Sequence, residues 1–72
     1  MARVKIGDTV NVWDTGETAK IEDILVTRRP HAKSGKWHKS CAMEIARQGR
    51  CILVLESGSW VFGDGVNFVE GS

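Results

Sequence analysis

The sequence predicts a small, mostly β domain: a partly open barrel or bent antiparallel sheet of about five short strands with one long basic loop. Three observations carry this. Apolar residues come in short runs, several alternating with polar ones, as in Val10-Asn11-Val12. Glycine-bearing turns punctuate the runs, as at Asp14-Thr15-Gly16, Ser57-Gly58-Ser59 and Gly63-Asp64-Gly65. Between them, residues 28–40 contain no Val, Ile or Leu at all, which predicts a loop or flexible hairpin. With 72 residues, the chain has room for a single domain, 1–72.

The elements follow in order. Val10 and Val12 alternate with Thr9 and Asn11, which predicts a first strand ending at Trp13. Asp14-Thr15-Gly16 supplies a turn. Residues 17–26 form a second strand, with Ala19 and Ile21 on one face. Ile24 and Val26 share a face only after a one-residue phase change at Glu22-Asp23, so a bulge is expected there. Residues 41–47 fit a strand with Cys41, Met43 and Ile45 inward, or a helix with Ser40 as N-cap and Gly49 as its stop; periodicity favours the strand. Gln48-Gly49 then suits a hairpin turn that sets Arg47 opposite Arg50 and Cys51 opposite Ala46. Residues 50–56 are strongly β-prone, 60–62 and 66–69 are short strands, and Glu70-Gly71-Ser72 is expected to fray.

The opening Val4-Lys5-Ile6-Gly7-Asp8-Thr9-Val10-Asn11-Val12 resembles the start of KOW and other SH3-like modules. In those, a Gly-Asp turn leads into the first strand and a later glycine, here Gly16, starts the second. The resemblance covers residues 1–26 and implies an SH3-like barrel. Over its whole length the chain also resembles the small RNA polymerase-binding transcription regulators of Xanthomonas phages. That likeness implies binding to a subunit of the host polymerase, inhibition of initiation, and antitermination as a further activity. It implies a place in the cytoplasm of the bacterial host. No interface residue is carried over from it.

The formal net charge is only +1, which excludes a polycationic tail. The charges are nevertheless segregated. Residues 28–50 hold seven Lys or Arg against Glu44 alone, between two acidic flanks. Arg28, Arg29, Lys33, Lys36 and Lys39 sit with Trp37 and His38 in one loop. These seven are the candidate partner-binding residues. The cations can meet an acidic protein surface with Trp37 as apolar anchor. The alternative is an SH3-like nucleic-acid-binding module, in which loop 28–39 neutralises phosphates and Trp37 stacks on a base. A solvated connector is the plain reading of the same charges.

Trp60, beside Val61 and Phe62, is expected in the core. Trp13 fits the core rim or an exposed contact equally well. Cys41 and Cys51 read as buried free thiols on separate rungs, and His31 and His38 as surface residues. His38-x-x-Cys41 has zinc-knuckle spacing, but His31 and Cys51 flank it too widely for an ordinary structural site, so no metal and no cofactor are expected. Asp8, Asp14, Glu17, Glu22 and Asp23 read as a solvated face. No phosphate-binding glycine loop and no positioned Cys-His-acid constellation is present, so the chain reads as a non-enzyme. The absence of an apolar segment after Met1 points to a reducing cytoplasm, and the longest apolar run, Cys51-Ile52-Leu53-Val54-Leu55, is too short to span a membrane. A monomer that binds a protein partner, bacterial RNA polymerase foremost, is the expectation.

Overall fold

The computed structural model describes residues 3–69; the tail expected to fray, 70–72, lies outside them. The chain opens with β1 (Arg3–Lys5), which turns at once into β2 (Thr9–Val12). The turn depends on Asp8 and Gly7. Asp8 Oδ2 accepts the Lys5 N–H at 2.9 Å, and Gly7 takes φ +96°, a conformation that disfavours any side chain. The next turn is tied by Asn11, whose Nδ2 donates to Gly16 O at 3.2 Å and Thr18 Oγ1 at 3.0 Å. β3 (Thr18–Thr27) then pairs antiparallel with β2, Val10 opposite Ala19.

β3 organises the fold. Its register shifts between Ile21 and Asp23, where the phase change in the sequence asks for a bulge. Before the bulge it pairs with β2. Beyond it, residues from Ile24 to Thr27 pair with β4 (Gly35–His38), and Ile21 to Val26 pair on the other side with β6 (Cys51–Leu55). β7 (Trp60–Phe62) adds to β6, and β8 (Val66–Phe68) adds to β2. The sheet order is β7-β6-β3-β2-β8, with β4 alongside β3. β7 and β8 lie at opposite ends of that order yet are joined by a single 3-10 turn, Gly63–Gly65. The sheet must therefore curl to bring its ends together, and it remains partly open because, among the described residues, no ladder joins β7 to β8. A separate two-stranded ladder pairs β1 with β5 (Ser40–Ala42), Val4 opposite Cys41.

The core lies inside the curl: Val4, Val10, Val12, Ala19, Ile21, Ile24, Cys41, Ala46, Cys51, Leu53, Leu55 and Val66 form one buried cluster. Among the described residues no helix is long and apolar enough to cross a membrane.

Three local expectations need correction. The shorter strands and the β1–β5 ladder raise the count to eight among the described residues. Of the two forms expected for the basic stretch, it takes the hairpin, residues 35–38 pairing with β3. Residues 41–47 are neither all strand nor all helix. The strand stops at Ala42, and Met43–Arg47 forms α1, with Ala42 rather than Ser40 at the N-cap and no side-chain cap. Cys41 has to lie in a strand to pair opposite Val4. Ala46 then packs so close to Gly63 that a Cβ there would lie 2.7 Å from the Ala46 carbonyl oxygen. One helical turn brings both residues inward. Gly49 at φ +74° ends it, donating its N–H to Ala46 O at 3.0 Å. The expected hairpin with Arg47 opposite Arg50 is absent; Cys51 pairs with Val26.

Candidate partner-binding face

Residues directly opposite in a ladder point to the same side, so register sorts the two faces of the β4-β3-β6-β7 region. His38, Ile24, Leu53 and Val61 share a rung turned to the core. Trp37, Leu25, Ile52 and Phe62 share the next rung, on the outer side. Asp23, Val54 and Trp60 form a second outer rung. The outer face is thus almost wholly apolar.

Loop 28–34 folds back over part of this face. Thr27 Oγ1 donates to Arg29 O at 2.8 Å, and the His31 N–H donates to Gly49 O at 2.8 Å. His31 adopts φ 59°, in the left-handed region, and its Nε2 lies 2.7 Å from Asp64 Oδ2. Its ring meets Phe62 edge-on at 4.9 Å between centroids, and Phe62 meets Trp60 the same way at 5.4 Å. Lys33 Nζ stands 6.0 Å from the Trp60 ring centroid.

A groove remains uncovered. Lys33, Trp37, Ile52, Val54, Gly58 and Trp60 line it. Trp37 and Trp60 form its walls with 60% and 49% of their surface exposed, while Ile52 in the floor is only 7% exposed. Next to it, Arg28, Arg29, Ala32, Ser34, Gly35 and Lys36 surround a shallow basic concavity. Gly35 is needed at this hairpin: a Cβ would fall 2.0 Å from Val26 O across the ladder.

The seven candidate residues therefore divide. Lys33 and Trp37 line the groove, and Arg28, Arg29 and Lys36 line the concavity. His38 sits on the rung that faces the core side, though exposed at the sheet edge. Lys39 is exposed beyond the strand, its carbonyl accepting from the Ile6 N–H at 3.2 Å.

Trp60, expected in the core, belongs to the face instead. Its alternation with Val61 contained the signal: Val61 packs against the core, so Trp60 and Phe62 must point the other way. Ile52 and Val54 were hidden inside an unbroken apolar run. Trp13 is 60% exposed and lines a second groove with Arg47, Asp64 and Phe68.

The four nitrogen and sulfur donors do not converge. His31 is engaged with Asp64, His38 lies on β4, and no group of three or more His, Cys, Asp or Glu among the described residues is arranged to hold a metal ion. Cys41 and Cys51 are both buried and free. They sit on separate rungs as expected, Cys41 opposite Val4 and Cys51 opposite Val26, yet their side chains meet in the core. The hydrogen bond to the Cys41 sulfur, together with burial, pushes the Cys51 thiol well above the ordinary thiol range. A thiol held protonated in a dry core is a poor nucleophile. Of the acidic residues of the first hairpin, Asp8 and Asp23 have local duties, Asp23 Oδ1 accepting the Ile24 N–H at 3.0 Å.

No protein-family model matches this sequence, and no curated protein and no solved structure shows significant similarity to it.

Proposed function

We propose that this chain is a non-enzymatic regulator that acts by binding a protein target, and that the target is bacterial RNA polymerase. In that role it inhibits transcription initiation, with antitermination as a further effect, in the cytoplasm of the bacterial host. The observation that supports a binding role is the exposure of all three tryptophans, two of them walling one apolar groove. Tryptophan carries the largest apolar surface of any side chain, and an exposed cluster of such residues marks an interaction surface. Aromatic anchors rimmed by cations are also the usual composition of interface hot spots. The polymerase as target rests on the likeness to the phage regulators.

A second reading, nucleic-acid binding, is favoured by the concavity of Arg28, Arg29 and Lys36. The net charge of +1 and pI of about 7.8 weigh against nucleic acid as sole partner.

Affinity capture from nuclease-treated bacterial lysate tests the proposal. Polymerase subunits are expected in the eluate, and Trp37→Ala should deplete them. Loss of every partner on nuclease treatment would transfer the function to nucleic acid. Recovery of a different single complex would keep the binding role and remove the polymerase.

A further inference from the structure

Resting on the protein-binding reading, we propose that the Trp37–Trp60 groove takes a short, extended, acidic segment of the partner, with one apolar side chain held between the two indoles. The floor of the groove is aliphatic, made by Ile52 and Val54, and Gly58 leaves one end open. Such a floor suits a Leu-, Ile-, Met- or Phe-sized side chain, which gains by leaving water. The groove crosses from β4 to β7, three strand spacings or about 14 Å. An extended chain covers that distance in about four residues.

The charge of the surroundings selects the flanks. Lys33 stands in the groove wall, and Ser34 and Gly35 continue into the concavity that holds Arg28 and Arg29, while Lys36, opposite Val26, turns to the other side of the sheet. No acidic residue occurs between Asp23 and Glu44. Asp23 keeps its charge on the Val54–Trp60 rung, so the acidic flank of the segment belongs on the side of Lys33, Arg28 and Arg29. A segment anchored between the indoles therefore meets cations on its hairpin side, and carboxylates within a few residues of the anchor complement them.

The groove itself favours a peptide over a stacked base. Lys33 already stands over the Trp60 ring and Phe62 meets that indole edge-on, so a base stacking on Trp60 must displace the lysine. Aliphatic side chains rather than polar groups line the floor, leaving the hydrogen-bonding edge of a base without partners.

The test is a random peptide display library panned on the purified full chain, with the enriched consensus peptide then measured by fluorescence anisotropy. The expected consensus has one large apolar residue with two or more Asp or Glu within four positions. Its affinity should fall about tenfold or more in Trp37→Ala and in Trp60→Ala. Lys33→Glu, which leaves both indoles in place, should weaken it as well. Circular dichroism checks that each variant remains folded. No enrichment, a basic or uncharged consensus, or binding indifferent to both tryptophan variants would overturn the proposal. So would tight binding of oligothymidylate that depends on Trp37 without any peptide enrichment, which would assign the groove to single-stranded nucleic acid. Failure of the regulator reading is separable. Polymerase capture that survives both tryptophan substitutions keeps the regulator and discards this groove; an acidic consensus without polymerase capture does the reverse.

Discussion

His31 Nε2 approaches Asp64 Oδ2 at 2.7 Å, and this one contact ties the basic hairpin to the 3-10 turn that joins the two ends of the sheet. The same imidazole packs edge-on against Phe62, and its backbone N–H reaches Gly49 O. His31 thus connects the segment that carries Lys33 with the turn that precedes Trp13's groove.

Replacing His31 with Ala should loosen the hairpin without unfolding the barrel. The His31–Asp64 contact is partly exposed, so its own loss costs roughly 0.2–1 kcal/mol. For a domain of this size, 1 kcal/mol moves Tm by about 4–8 °C. Amide exchange at positions 28–34 should accelerate much more than exchange in β3 or β6. Equal acceleration throughout the sheet would show that His31 supports the global fold instead.

Glycine substitutions should separate the hairpin from an ordinary turn. Gly35→Ala places a Cβ 2.0 Å from Val26 O, a backbone atom that can retreat only if the β3–β4 ladder opens. Gly58→Ala meets nothing within 4 Å and bears only the cost of φ +93°, on the order of 1–2 kcal/mol. We expect Gly35→Ala to abolish protection of the β4 amides, and Gly58→Ala to leave them intact while lowering Tm by several degrees. Retained β4 protection in Gly35→Ala would contradict the observed pairing.

The parts of this fold that were legible in the sequence are those decided by neighbours along the chain. Val10 and Val12 alternate, Gly7-Asp8 and Gly16 turn, and the phase change at Glu22-Asp23 becomes the bulge. The parts that were not legible depend on distant partners. Lys36-Trp37-His38 has no apolar alternation and becomes a strand only because β3 offers its free edge. Ala42 ends β5 because Cys41 must meet Val4 while Ala46 must meet Gly63. Exposure of Trp37 followed from its polar neighbours. Exposure of Trp60 did not, because an apolar triplet reads as core until strand alternation splits it. The meeting of Cys41 with Cys51 needed both the β1–β5 ladder and the helical turn between them.

Truncations on the two faces of β6 and its neighbours should have opposite consequences. Leu53 is fully buried on the inner face, and Leu53→Ala should cost about 2–5 kcal/mol. Trp60→Ala removes a side chain half in water and should cost clearly less, while weakening partner binding. Chemical denaturation of the two variants makes the comparison. A larger loss for Trp60→Ala than for Leu53→Ala would return Trp60 to the core and remove one wall of the groove.

The buried thiol pair makes stability depend on alkaline pH, in a direction that follows from Cys51. The contact between the two thiols lowers Cys41 and, together with burial, raises Cys51 above the ordinary value of 9.0, so the alkaline decline belongs to Cys51, the second of the pair to ionise. The folded state therefore keeps a proton that the unfolded state gives up. Stability from this source is complete below pH 9.0 and is lost as pH rises through and beyond that value. At neutral pH the buried Cys51 thiol should stay unreactive toward an aromatic disulfide reagent until the protein unfolds. Cys51→Ala should flatten the alkaline decline in Tm relative to the unsubstituted chain, even though it lowers Tm at neutral pH by leaving space beside Gly63 and Cys41. An alkaline decline of unchanged slope in Cys51→Ala would show that the thiol pair is not its cause.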